Sequence, residues 1–368
     1  TGDGIMSRAA QKLIAASGSK DAYEIDQSIM LDRGDAPAFY RTPSSASNRR
    51  TYSISVWIKR TNPSTGNESQ AIFGSWDNSS TTDATWTTVQ MYNNDLRIGG
   101  WNQNYRVTNR LFRDVSAWMH LLIVFDTTQS TANDRVKLYV NGVQETSFAT
   151  TNNPDQNEEL GINSTIQHRV GDMYATSSNY HMNGYLAEFN FVDGTALTPS
   201  SFGETDSETG AWIAKEYTGS YGTNGFYLKF ASGAIGTDSS GNGNNYTTVN
   251  LANYDVMIDT PTNNFPTLNS IQTHNTTIGV VSEGNLHVQA GTYDGGHYSN
   301  LSTTFNVPES GKWYLECRIG ISGGSGNVGV FAVTDQNIDL FYATDKETPS
   351  WTRFTSYPKS FSSPSTEN

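Results

Sequence analysis

The chain has 368 residues, enough for two domains that each bury a core. Only 16% of them are charged, the formal net charge is −13 and no basic stripe occurs, which excludes nucleic acid and argues equally against anionic membrane surfaces. No apolar run approaches the roughly 20 residues that span a bilayer, no signal-like segment opens the chain, and Cys317 is the only cysteine, so no intrachain disulfide forms, as in proteins made in a reducing cytoplasm.

In IMSRAAQKLIAA (5–16), Met6, Ala9 and Leu13 recur at helical spacing with Ala16, and Ser17-Gly18-Ser19 stops the run. Residues 1–24 therefore read either as a docking arm that folds on a neighbouring subunit or as a frayed end, since so short a helix is marginal in water. Beyond them the apolar period is two, broken by Gly, Asn, Ser and Thr, and predicts an all-β sandwich. TYSISVWI (51–58) puts Tyr52, Ile54, Val56 and Ile58 on one face of a half-buried strand, with Ser53, Ser55 and Trp57 on the other. WMHLLIVF (118–125) is nearly continuous apolar sequence, the mark of a central strand covered on both faces; within it His120 is expected to be a satisfied core histidine. In VKLYVNG, Val136, Leu138 and Val140 point inward and Asn141-Gly142 makes a tight hairpin turn. Tyr185, Ala187, Phe189 and Phe191 alternate in GYLAEFNF (184–191). From about residue 201 the pattern loosens into a connector expected to add one or two strands. A second β-unit, 271–368, opens with Trp313, Leu315, Cys317, Ile319 and Ile321 alternating, and has too few strands to close a sandwich; the polar tail and the Thr1 start suggest part of something longer.

Between 75 and 105, Trp76, Trp86, Trp101, Tyr92 and Tyr105 mix with many amide side chains, the combination that stacks sugar faces and bonds hydroxyls. Trp86 and Tyr92 fall on strand-like sequence and are expected in the core. Trp76, Asp77, Asn78, Asn102, Asn104 and Tyr105 lie in turn-rich sequence and are the carbohydrate-binding candidates, with Tyr174 and Tyr180 of the loop 172–181 beside them. The six histidines show no metal-site spacing, and no nucleophile elbow, P-loop or dinucleotide fingerprint occurs.

RTPSSASNRRTYSISVWIKR (41–60), VKLYVNGV (136–143), GYLAEFNFVDGTALTPSSFGE (184–204) and GFYLKFASGAIGTDSSGNGNNY (225–246) together resemble the concanavalin A-like, laminin-G-like domain of virion proteins from marine tailed phages, over roughly 25–270. ESGKWYLECRIGISGG (309–324) is similar to the opening strands of SPRY domains. The resemblance implies a jelly roll followed by an SPRY-like unit, in a non-enzymatic structural and adhesive protein of the virion: a tail fibre, tail-associated or head-decorating component made in the bacterial cytoplasm. Its implied partners are other virion proteins, further copies of the chain and host surface glycans. The alternatives are a polysaccharide-degrading enzyme of the same fold and a cellular lectin or adhesin. Against the enzyme, the nearest string to the family's E-x-D-x-x-E motif is EIDQSI (24–29), where Ile29 stands in place of the last acid. No cofactor is expected; related domains hold calcium at a loop rim, for which Asp126 and Asp134 are the candidates here.

Overall fold

The computed structural model describes residues 23–61, 68–77, 82–101, 103–173, 180–207 and 209–262, and beyond them the backbone of six short strands. The docking-arm residues Met6, Ala9 and Leu13 lie outside the described residues. The chain divides into two units, Ile14–Thr303 and a second made of Thr1–Leu13 with Thr304–Asn368. In the second, Cys317–Ile319 pairs with Thr352–Phe354 and Val328–Val333 with Ile338–Ala343, all antiparallel. In the first, beyond the sandwich, Gly279–Ser282 pairs with His287–Ala290.

The sandwich strands are, in chain order, β1 (Ser28–Leu31), β2 (Ala38–Arg41), β3 (Thr51–Arg60), β4 (Ser69–Ser75), β5 (Thr87–Tyr92), β6 (Asp95–Gly100), β7 (Gln103–Thr108), β8 (Met119–Asp126), β9 (Val136–Val140) and β10 (Val143–Gln144). There follow β11 (Phe148–Thr151), β12 (His168–Val170), β13 (Gly184–Asp193), β14 (Gly203–Thr205), β15 (Trp212–Ala214), β16 (Phe226–Leu228), β17 (Thr247–Val249) and β18 (Val256–Met257). One sheet runs β10-β9-β8-β3-β13-β1-β18, with β16 also on β13; the other runs β11-β7-β6-β5-β4-β12-β2-β17. Residues after 201 thus add three strands to the two sheets, where one or two were expected, and a separate β14–β15 hairpin.

The inner faces meet in one apolar core. Ile54, Val56, Leu121, Ile123, Leu138 and Phe189 come from the first sheet and Phe39, Phe73, Val89, Ile98 and Tyr105 from the second, with Phe73 edge-on to Phe189 at 5.5 Å. Two buried arginines bridge the sheets through backbone carbonyls. Arg60 of β3 donates to the carbonyls of Phe112 (2.6 Å) and Asn93 (2.8 Å), and Arg106 of β7 to those of Tyr105 (2.7 Å) and Val136 (2.8 Å). Burial pushes both guanidinium groups down to about 10, still charged at neutral pH.

Tyr52, Ile54, Val56 and Ile58 face the core as the alternation requires, but β3 is not half-buried. Its other face is covered too: Trp57 packs with Met30, Trp118 and Tyr185, while Ser53 donates to the Thr195 carbonyl at 2.8 Å. β8 is covered on both faces, as the continuous apolar run predicts, with Leu122 and Val124 under Phe202 and Tyr221. Asn141 (φ 48°) and Gly142 (φ 78°) supply the two left-handed residues of the β9–β10 turn.

The uniform alternation expected in β13 is corrected by a β-bulge. Ala187 pairs with Trp57 and Asn190 with Ser55, so Glu188 and Phe189 together oppose one residue of β3. The extra residue shifts the phase: Tyr185 and Ala187 belong to the outer cluster, Phe189 and Phe191 to the core. At the same point the other edge of β13 changes partner, from β1 at 184–186 to β16 at 189–191.

Tyr52 is fully buried, stacked on Phe125 at 4.8 Å, and its hydroxyl has no hydrogen-bond partner among the described residues. An unsatisfied buried hydroxyl costs about 1–3 kcal/mol. Tyr52→Phe should therefore raise stability by about 1 kcal/mol in urea unfolding, and a loss of more than about 1 kcal/mol would show that the hydroxyl has a partner.

Candidate functional site

Three neighbouring strands end level with one another at one end of the second sheet. Ser75 of β4 pairs with Thr87 of β5, and Thr87 with Gly100 of β6. The residue just beyond each is a tryptophan, so Trp76, Trp86 and Trp101 stand in a row across the strands. Trp86 lies 4.6 Å from Trp76 and 5.3 Å from Trp101, and all three are only partly buried. The expectation that Trp86 is core is thereby corrected: it precedes β5 rather than lying within it. Tyr92 also leaves the core, lying at the far end of β5 beneath the Arg97 guanidinium, 3.8 Å from its ring centroid.

Asp83 sits in the turn that leads into Trp86. Its Oδ2 accepts from the Gln103 amide (2.6 Å) and from the Tyr105 hydroxyl (2.7 Å). A Cβ on Gly100 would come within 2.4 Å of this carboxyl, so only glycine allows Asp83 to lie across the end of β6. The turn is held by Arg49, which donates to the carbonyls of Ala84 (2.7 Å) and Leu160 (2.8 Å). Glu158 and Asp155 complete a negative rim, and burial, followed by the charges of Asp83 and Asp155, raises the Glu158 carboxyl above its ordinary range. A neutral, hydroxyl-rich ligand suits this rim better than an anionic one.

Of the residues singled out from the sequence, Trp76, Asp77 and Asn104 lie at this end and are partly exposed. Tyr105 does not lie in an exposed turn: its ring is fully buried on β7, 6.5 Å from Phe125, and only the hydroxyl reaches the site through Asp83. Burial and then the Asp83 bond raise its phenol far above the ordinary value, so it serves as a donor only. Asn78, Asn102 and Tyr174 lie outside the described residues, and Tyr180 is partly exposed after them. Asp83 is not among the residues singled out from the sequence, although an acidic residue in a Thr-rich turn ahead of a glycine pair is its visible signal.

His120, the expected satisfied core histidine, is one. Trp212 Nε1, which can only donate, points at its Nδ1 (3.2 Å), so the neutral ring carries its proton on Nε2 and donates to Ser55 Oγ at 2.8 Å. In that tautomer it cannot draw a proton from Ser55. Trp212 itself lines a shallow cleft of about 460 Å³ with Ser200, Glu204 and Lys215, but its ring is packed on the backbones of Gly142 and Gly203. Glu24 and Asp26 are exposed on the coil before β1, and Ile29 is core. Asp126 accepts from Thr51, Thr128 and Gln129, and Asp134 pairs with Lys137; among the described residues no group of three or more His, Cys, Asp or Glu side chains converges.

Residues 35–201 match the model of the concanavalin A-like lectin/glucanases superfamily. No curated protein matches the sequence. Among solved structures, the chain is similar to a candidate carbohydrate binding protein from Bacteroides ovatus ATCC 8483, at 14% identity and TM-score 0.40, over 61% of this chain and 58% of that one. It is similar also to a heptameric SAP-like pentraxin from Limulus polyphemus, at 17% identity and TM-score 0.34, over 48% of this chain and 80% of that one. A third is domain 4 of an extracellular arabinanase from Geobacillus stearothermophilus, in complex with arabinotriose, at 25% identity and TM-score 0.30, over 42% of this chain and 65% of that domain.

Proposed function

We propose that the sandwich is a non-catalytic module that binds neutral glycans across Trp76, Trp86 and Trp101, within a structural and adhesive protein of a phage virion. The row of indoles around Asp83 is the observation that carries the reading: ring faces stack on sugar C–H surfaces while a carboxylate and amides take hydroxyls. The superfamily match over 35–201 supports a fold that lectins use. In the string nearest to the glucanase motif, Glu24 and Asp26 are exposed on coil and core Ile29 stands in place of the third acid, which favours binding over hydrolysis. The phage assignment rests on the sequence strings alone, and copies of the chain on one particle would turn weak single contacts into firm attachment.

Glycan-array binding by the purified chain is the test. Trp76→Ala and Trp101→Ala should each weaken binding about tenfold, the worth of one stacking contact, with thermal unfolding nearly unchanged. Tyr105→Ala should instead destabilise the fold by about 3–5 kcal/mol, as for a core aromatic. Binding unaltered in both tryptophan variants would end the proposal, and reducing-end release by the wild type, lost on one carboxylate substitution, would replace it with the enzyme.

A further inference from the structure

Glu188 is the residue that the β13 bulge turns away from the core. Its φ of 50° is left-handed, a conformation that costs a non-glycine residue about 1 kcal/mol or more and persists where the surroundings enforce it. With the phase shifted, its side chain lies on the outer face of the first sheet, where β13 passes from β1 to β16. Two phenols meet it there. Tyr23, on the coil before β1, donates to Oε2 at 2.7 Å, and Tyr227 of β16 contacts Oε1 at 2.6 Å and Oε2 at 2.5 Å. The two hydroxyls are also 2.7 Å from each other.

Four oxygen contacts at these distances link three pairs of groups, Tyr227 spanning both carboxyl oxygens, and each pair of groups needs a proton between its members. Two phenols supply two, since each hydroxyl carries one. If Glu188 were ionised, one pair would face lone pair to lone pair at hydrogen-bond distance. If it is a carboxylic acid, the third proton closes a ring in which each pair of groups is hydrogen-bonded. We infer that Glu188 is a neutral carboxylic acid in the folded protein and that its ionisation unlatches Tyr23, and with it the chain that enters the sandwich.

The identity of the group that moves follows from packing. Tyr227 is buried within β16, parallel to Tyr221 at 6.2 Å, and Glu188 is fixed by its strand. Tyr23 alone sits on coil and is partly exposed. The charged and titratable neighbours are Glu216, which opposes ionisation of Glu188, and Lys229, whose ammonium lies 5.2 Å from the Tyr227 ring and favours it; Tyr221, Tyr217 and Asp238 lie behind. Burial dominates and raises the Glu188 carboxyl, and burial with the Glu188 charge holds both phenols protonated well beyond their ordinary value. A transition below the range in which phenols ionise therefore belongs to the carboxyl rather than to the tyrosines.

Infrared difference spectra of the full chain, wild type minus Glu188→Gln at neutral pH, read the proton directly. A protonated-carboxyl C=O band present only in the wild type is expected, and carboxylate bands alone would overturn the inference. Amide exchange over 23–27, corrected for the intrinsic rate, should rise about tenfold as the carboxyl ionises with rising pH in the wild type and stay flat in Glu188→Gln. A step that persists in Glu188→Gln, or no step in the wild type, would refute the latch. Should Glu188→Gln not fold, Tyr23→Phe serves instead: without the Tyr23 hydroxyl the carboxyl has no latch to release, so amide exchange over 23–27 should lose its pH step. A step retained at its wild-type position would count against the latch.

Discussion

Asp259→Ala is expected to destabilise the sandwich by about 3–5 kcal/mol, the cost of leaving a buried charge without its counter-ion. Lys59 of β3 has no exposed side-chain surface, and its Nζ donates to Asp259 Oδ2 at 2.8 Å on the outer face of the first sheet. Trp118 Nε1 donates to the other oxygen at 2.9 Å, so the same substitution orphans an indole N–H. Thermal unfolding should fall by about 6–20 °C for a unit of this size. The pair earns this by mutual dependence rather than by net stabilisation, since two charges gave up their hydration to meet. Replacing both partners, as Lys59→Met with Asp259→Leu, should therefore recover most of the loss. A single variant that melts with the wild type would mean that water reaches the ammonium.

Acidification from pH 7 to pH 4 should cost roughly 6 kcal/mol through two histidines. Burial lowers His120 to about 3 and His168 to about 4, from an ordinary 6.5. In His168, Nδ1 donates to the Ile166 carbonyl (2.8 Å) and Nε2 accepts from the Asn163 amide (2.9 Å), an arrangement that only the neutral ring allows. Because the unfolded chain binds these protons first, the stabilisation is complete above pH 6.5 and is lost as pH falls towards the folded values, at about 1.4 kcal/mol per pH unit for each ring. His181, lowered chiefly by burial, acts in the same direction. Glu188 opposes them: its raised carboxyl stabilises the fold below its ordinary 4.5 and loses that contribution as pH rises through the folded value. Urea unfolding at several pH values checks the slope, and a flat profile between about pH 6 and about pH 4 would contradict neutral, buried rings.

Period-two alternation was enough to place Tyr52 through Ile58 and Val136 through Val140 correctly, because their inner faces meet one continuous core. It failed at β13. The sequence EFN carries no glycine or proline to mark a bulge, so a pattern that assumes regular pleating assigns Phe189 to the face of Ala187. The coverage of the outer face was also hidden, since Ala214, Phe202 and Tyr221 come from sequence that reads as connector. At the indole row, composition pointed to the right segment but not to the right side chains. Tyr105 lies two residues inside the end of a strand and Trp86 one residue outside, a distinction that register decides and local sequence does not.

The two ends of the sandwich leave it together. Ile25 donates its amide to Thr262 Oγ1 at 2.9 Å, Ser28 donates to the Asp259 carbonyl at 2.6 Å, and β1 lies antiparallel to β18 with Ser28 opposite Met257. Tension applied along the chain through residues 23 and 262 would thus load the same end of one strand pair. Such a pair opens like a zipper, one bond at a time, instead of shearing all its bonds at once. The stretch 256–262 would peel first, giving slack of at most about 3.3–3.6 Å per released residue while the core strands β3, β8 and β13 stay paired. A chain pulled from both ends of this sandwich would yield here in small steps before its folded body came under load.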